Sequence, residues 1–219
     1  MKQRIVLLGP PASGKGTQAD RVASRFGIPH VSTGALLRSE SARGTELGRK
    51  AESSTGRGLL VPDELVLRII GQWIRNHGTR FIFDGFPRSV GQAAHLDAAL
   101  AELQAPLDLI ILLELSDEEI RRRVEARLSC LQCGATFSKS LHGLKIHDHC
   151  PHCGDRLVRR NDDVPEALEQ RLHLYRGMTL PVVGYYERKV PHLMHRICAE
   201  EGSDAIFSKI STLVDEEGI

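Results

Sequence analysis

Residues 5–17 read IVLLGPPASGKGT. Four consecutive apolar residues, Ile5–Leu8, are the mark of a strand buried on both faces, as in a parallel sheet. After Leu8 comes a loop in which glycine, proline and small residues alternate. Gly9 and the pair Gly14-Lys15 are separated by four residues, the spacing of a phosphate-binding loop between a strand and a helix. In such a loop, residues Gly9, Pro10, Pro11, Ala12, Ser13 and Gly14 wrap the phosphates, and the glycines let backbone N–H groups point inward at phosphate oxygens. The helix that starts near Lys15 directs its positive dipole end to the same place. Lys15 adds a full charge. A hydroxyl residue normally follows that lysine and faces magnesium; here the slot holds Gly16, and Thr17 is the nearest hydroxyl. The plainer alternative is a turn that only joins strand to helix. The strand before it, the helix after it and the lysine weigh against that.

Outward from this stretch, the chain has room for one α/β domain with inserted subdomains: 219 residues, 41% of them hydrophobic. Lys and Arg (29) almost balance Asp and Glu (28), and aromatics make up 5%. Coating nucleic acid takes a basic excess and stacking surfaces, so the composition argues against that class. No apolar run approaches the ~20 residues of a membrane span, and Ile5–Leu8 is too short for a secretory core. A cytoplasmic protein is expected.

Further buried strands are expected at Phe81–Phe83 and Leu109–Leu113, with shorter ones at Pro29–Ser32 and His195–Ala199. Pro62–His77 carries Leu65, Val66, Ile69, Ile70, Trp73 and Ile74 on one helical stripe. Ser116-Asp117-Glu118-Glu119 and Asp163-Val164-Pro165-Glu166 read as capping boxes, the second opening a long helix over 164–188. Strands alternating with helices imply a parallel sheet covered on both faces. Residues 33–61 are helix-like without a strand, and 128–160 are rich in Cys, His and Gly.

Several segments together resemble the adenylate kinase family. GPPASGKGTQ (9–18) resembles its phosphate loop, in which GKGT is usual and glycine is commoner than Ala12. HVSTGALLR (30–38) is similar to its STGD-x-LR segment, which implies that Thr33, Gly34 and Arg38 contact AMP. GRGLLVPDE (56–64) resembles G-x-LV-x-DE, with Val61 at the adenine pocket. FIFDGFPRSVGQA (81–93) is the most specific match and assigns Asp84, Gly85, Arg88 and Gln92. Independently of the family, a carboxylate at a strand end beside the loop can hold waters around Mg²⁺. An arginine can grip a phosphate with two parallel bonds. Gln92 can pair with an adenine edge, or it can complete a capping box with Ser89; Thr33 can also be an N-cap. Ala35 stands where the family usually has aspartate, which implies weaker Mg²⁺ dependence or lower turnover.

Phosphoryl transfer between two nucleotides brings several negative charges together, so the site needs cations and exclusion of water. Arg123 and Arg127 are four apart and are expected on one helix face, with Arg122 paired to Glu118. Arg160 and Arg171 flank the irregular region. The resemblance places Arg123 and Arg127 on ATP, Arg160 and Arg171 on AMP, and makes Lys15, Asp84, Arg88, Arg123, Arg160 and Arg171 catalytic. One of Asp162 and Asp163 is expected to cap the next helix, the other to tether an arginine.

CLQC (130–133) and CPHC (150–153) form a C-x2-C…C-x2-C pattern, strong for a four-thiolate zinc site of Cys130, Cys133, Cys150 and Cys153. Four thiolates close a tetrahedron, so the metal would be structural. His142, His147, His149 and His152 are expected at the surface, and Cys198 in the core. Unligated or redox-active CxxC pairs are the alternative.

The resemblance implies a P-loop nucleoside monophosphate kinase fold: α/β, a five-stranded parallel sheet with helices on both faces, an AMP-binding insert and a zinc lid. The expected division is core 1–31, insert 32–61, core 62–127, lid 128–160 and core 161–219. The implied reaction is Mg²⁺-dependent transfer from ATP to AMP giving two ADP, by a monomer. A kinase for UMP or CMP is the nearest alternative; a zinc-ribbon protein that holds ATP only as a ligand is the alternative from another class.

Overall fold

The computed structural model of the chain describes residues 1–45, 48–49 and 61–216; the side chains of Arg38, Ser41, Ala42, Ser140 and Asn161 lie outside this set. So do residues 56–60 of GRGLLVPDE, although Val61 is described and buried.

The continuous apolar run of the opening stretch becomes strand β1 (Arg4–Leu8), and helix α1 (Lys15–Phe26) follows the loop. Next come β2 (His30–Ser32), α2 (Thr33–Ala42), α3 (Asp63–His77), β3 (Phe81–Asp84), α4 (Val90–Glu102) and β4 (Leu109–Glu114). Then follow α5 (Asp117–Ala126), β5 (Arg127–Cys130), β6 (Thr136–Ser138), α6 (Lys139–His142) and β7 (Leu157–Val158). The chain ends with α7 (Pro165–Leu174), α8 (Leu180–Lys189), β8 (Met194–Cys198) and α9 (Ser203–Asp215).

The main sheet is parallel, five strands in the order β2-β3-β1-β4-β8. Its strands read as apolar runs because alternate residues serve two different cores. Val6, Leu8, Phe81, Phe83, Ile110 and Leu112 face α3, α4 and α8. Ile5, Leu7, Ile82, Leu109, Ile111 and Leu113 face α1 and α9. At about 1.5–3 kcal/mol for each fully buried large aliphatic side chain, these two layers fix the register of every strand. After β1 the chain crosses to β2 on one side and later returns to β4 on the other. The strand order therefore reverses at the carboxyl end of β1, where open α/β sheets place their ligands.

Residues 127–158 build a second, antiparallel sheet in the order β6-β5-β7. The sequence gives this region no clear period because its core is small: Leu128, Cys130, Phe137, Cys150 and Leu157.

Four expectations are corrected. The long helix over 164–188 is interrupted by a π turn at Tyr175–Thr179, where the Leu180 N–H reaches back to the Tyr175 carbonyl. Pro181 explains it: proline has no N–H for the helical ladder, and its ring would crowd the carbonyl four residues earlier. Ser116 does not cap α5 with its side chain, and Glu119 is drawn away to arginines. Glu200, from the segment after β8, takes the Ser116 N–H instead. No side chain caps α7 either; Val164 stands at its N-cap and Pro165 in its first turn. Cys198 is exposed rather than in the core, because it lies on the edge strand opposite the exposed Glu114.

Candidate active site

The phosphate loop leaves β1 and enters α1 through Gly14, whose φ is 90°. Lys15 folds over the loop: its Nζ donates to the Gly9 and Pro10 carbonyls at 2.9 and 2.8 Å and to Ser13 Oγ at 3.2 Å. Ala12 holds a φ of 60°, and its methyl packs beside Ile120, Val124, Leu168 and Leu172. The side chain that a glycine would lack thus anchors the loop to α5 and α7. A Cβ on Gly16 would lie 3.4 Å from Asp84 Oδ2. The slot where a hydroxyl residue is usual is therefore pressed against the carboxylate of the neighbouring strand.

Asp84 ends β3, in register with Leu7 on one side and Ser32 on the other. Burial alone pushes its carboxyl up, but His30, Lys15 and Arg88 outweigh it and hold the group below the usual range. His30 is a residue that sequence reading does not single out. Its Nδ1 pairs with Asp20 Oδ1 at 2.7 Å and its Nε2 lies 3.8 Å from Asp84 Oδ2. Burial lowers the imidazole, yet the two carboxylates prevail and raise it to about 9. Lys15 moves the other way, to about 8: burial dominates, Asp84 opposes it, and Arg88, Arg171 and Arg127 add repulsion.

Beyond β3 the chain turns through Gly85 at a φ of 77°. A side chain there would meet Arg88 Nη2 at 2.8 Å and Thr33 Oγ1 at 3.0 Å, so only glycine fits. Thr33 donates to the Gly85 carbonyl at 2.9 Å, and Arg88 Nε donates to the same oxygen at 2.7 Å. Ser32, not Thr33, supplies the cap of α2, accepting the Ala35 N–H at 3.3 Å. Ser89 caps α4 by accepting the Gln92 N–H at 3.1 Å, as its spacing predicts. The π turn brings in two residues without a sequence signal, Tyr175 and Thr179; Thr179 Oγ1 donates to the Arg88 carbonyl at 3.2 Å.

These elements line an open cleft whose walls include Gly9, Pro11, Lys15, Gly85, Arg88, Arg171, Tyr175 and Thr179. The other arginines divide. Arg127 and Arg171 share Asp163, which is fully buried, and Arg171 also binds Asp162 at 3.0 Å. That use of Asp163 explains why it caps nothing. Arg123 and Arg127 do not share a helix face, because α5 ends at Ala126 and Arg127 opens β5. Arg123 binds Glu119 at 2.7 Å and the Ala199 carbonyl at 2.6 Å. Arg122 pairs with Glu119 rather than Glu118, three residues away. Arg160 reaches Ser129 Oγ and Thr136 Oγ1 within the small sheet. Thr17 is exposed on the first turn of α1.

The four lid sulfurs lie within 4.8 Å of one another, with Cys130–Cys153 at 3.4 Å and Cys133–Cys150 at 3.7 Å. A tetrahedron with metal–sulfur bonds of about 2.3 Å has edges near 3.8 Å, so the donor set fits zinc. The cluster contains only these cysteines, and His142, His147, His149 and His152 are exposed.

A family model described as adenylate kinase matches residues 7–190. The chain belongs to the adenylate kinase family. The adenylate kinase of Thermodesulfovibrio yellowstonii is 38% identical over 216 residues, 98% of this chain and 100% of that protein. The adenylate kinase of Acetivibrio thermocellus is 43% identical over 188 residues, 85% of this chain and 87% of its own. The adenylate kinase of Archaeoglobus fulgidus is 36% identical over 214 residues, 97% and 98% of the two chains. As a member of the family the chain is a nucleoside monophosphate kinase, and its parallel sheet with flanking helices is the fold of that group.

Proposed function

We propose that the cleft at the carboxyl ends of β1 and β3 holds ATP and AMP with their phosphates facing each other. The transfer is direct and in line, giving two ADP. The observation that carries this reading is convergence: Lys15, Arg88 and Arg171 line one cleft beside the strand end that carries Asp84, and Arg127 is tied to Arg171 through Asp163. Four cations and one carboxylate at a phosphate loop suit a reaction that depends on positioning and charge stabilisation.

In this reading residues 9–17 and Lys15 cradle the ATP phosphates, and Arg88 grips the AMP phosphate. Thr33, Gly34, Arg38, Val61, Gly85 and Gln92 form the AMP side. Arg123, beside the Ala199 carbonyl, serves the far end of ATP. Arg127 and Arg171, still held by Asp163, turn their free N–H groups to phosphate oxygens, and Arg160 exchanges Ser129 and Thr136 for phosphate, when the lid, residues 128–160, and the insert, residues 32–61, close over the core. Closure keeps water from taking the phosphoryl group. Asp84 fits an outer carboxylate for Mg²⁺, which supplies charge neutralisation between the phosphates. Cys130, Cys133, Cys150 and Cys153 hold a structural zinc. A cytoplasmic monomer without nucleic-acid or membrane partners completes the reading; among the described residues no helix is long and apolar enough to cross a membrane.

A coupled assay with ATP and, in turn, AMP, CMP, UMP and GMP tests it. AMP is expected to be preferred, and Arg88→Ala to lose about 10²–10³ in kcat. Near-normal turnover in that variant would overturn the site assignment.

A further inference from the structure

Gln92 is 2% exposed, and both ends of its amide are in use. Oε1 accepts the Arg88 N–H at 2.7 Å, and Nε2 donates to Asp63 Oδ1 at 2.6 Å. The orientation is forced. An ionised carboxylate only accepts and a backbone N–H only donates, so the reversed amide would set oxygen on oxygen and N–H on N–H. Asp63 is held in turn, because its Oδ2 accepts from Ser89 Oγ at 2.6 Å. The carboxylate opens α3, two residues after Val61, while Gln92 lies in the first turn of α4. The segment that leads out of the insert therefore reaches across to fix a side chain next to Arg88.

A carboxamide has two N–H groups and two oxygen lone pairs, and these contacts use one of each. Adenine presents an amine donor beside a ring acceptor. Hypoxanthine presents a keto acceptor beside a ring N–H. An amide free to turn over can match either edge; a locked one matches a single edge and leaves the other base with like groups opposed.

We propose that Asp63 is a positioning residue that sets base selectivity at the acceptor site, by holding the Gln92 amide in the one orientation that pairs with adenine and not with a 6-keto purine. The proposal rests on the placement of Gln92 at the AMP base.

The test is kcat/KM for AMP and for inosine monophosphate, which differs from AMP only at that edge, with ATP as donor. Asparagine in Asp63→Asn can donate or accept and so releases the amide. The AMP preference is expected to fall at least ~10-fold, through KM, with kcat for AMP within about threefold. Asp63→Ser releases it in the same way and serves if the asparagine variant does not fold. Ser89→Ala removes the α4 cap and the Ser89–Asp63 bond but leaves the lock; it is expected to lower the melting temperature and keep the preference. Gln92→Ala is expected to lose the preference as Asp63→Asn does. If Gln92→Ala loses it while both Asp63 variants keep it, Asp63 does not set it. If Ser89→Ala loses as much as Asp63→Asn, a loosened cap is the cause and the proposal fails. If Gln92→Ala keeps the preference, Gln92 does not read the base, and the placement of Gln92 falls together with the proposal.

Discussion

His30 shows how a single residue acquires a property that its neighbours in sequence do not announce. It sits diagonally from Asp84 on the same face of the sheet, because Ser32 is in register with Asp84. Asp20 comes to it from α1. Burial disfavours the imidazolium, but the two carboxylates raise the group from 6.5 to about 9 in the fold. The unfolded chain releases its proton above about pH 6.5 and the folded chain holds it to about 9, so this stabilisation is complete below the first value and is lost as pH rises through the window. Lys15, lowered to about 8, contributes in the opposite sense only from that pH upward. Between pH 6.5 and 8 the wild type should therefore lose up to about 2 kcal/mol relative to His30→Gln, at about 1.4 kcal/mol per pH unit. Urea midpoints of both proteins across that range measure it; parallel curves would refute the charged histidine. Lys15 and the four cysteines are legible in the sequence because short spacings fix their chemistry, and Asp84 and Arg88 through the family resemblance of residues 81–93. His30 and Asp63 are not, because their partners arrive through strand register and helix packing.

At the scale of elements, helix and strand patterns are readable where a face or a run is apolar. They mislead where a local signal meets a stronger tertiary partner. Asp163 carries the pattern of a cap but is held by Arg127 and Arg171. Its charge is fully buried, and leaving such a carboxylate without arginine partners costs more than one helix cap supplies. The break between α7 and α8 is written in Pro181, yet proline near a helix position does not by itself say that a wider turn will form or what it will reach. Here the turn delivers Thr179, buried, to the Arg88 carbonyl. Thr179→Val keeps the shape and removes the donor. Its expected cost is about 1 kcal/mol in denaturant unfolding, more if the carbonyl is left without any partner. Thr179→Ser should restore most of it. The same valine variant should weaken AMP more than ATP, because the bond steadies the backbone of Arg88; equal effects on both KM values would separate Thr179 from the acceptor side.

The whole molecule contains cores of unequal strength. Two apolar layers sandwich the parallel sheet, whereas among the described residues the antiparallel sheet gathers five buried apolar residues, two of them cysteines. So small a cluster supplies too little burial to order residues 128–160 alone. The C-x2-C pairs signal in the sequence that metal substitutes for a core, but they do not reveal that β5 begins at Arg127 and so joins the lid to the cation cluster through Asp163. A division of labour in stability results. Apparent binding free energies of structural zinc are about 10–16 kcal/mol in small finger peptides, and here they would act on the lid before the core. Removing zinc with a chelator, or replacing Cys130 with serine, should open residues 128–160 to limited proteolysis at 25 °C. Far-UV circular dichroism and the main unfolding transition should keep most of their amplitude, with the transition shifted downward. Turnover should fall but persist in the cold, since Lys15, Asp84 and Arg88 stand at the start of α1, the end of β3 and the loop after it rather than on the lid. Cleavage sites spread over the parallel sheet would show that the metal supports the entire fold. A lid that stays protease-resistant without zinc would show that its small apolar cluster suffices.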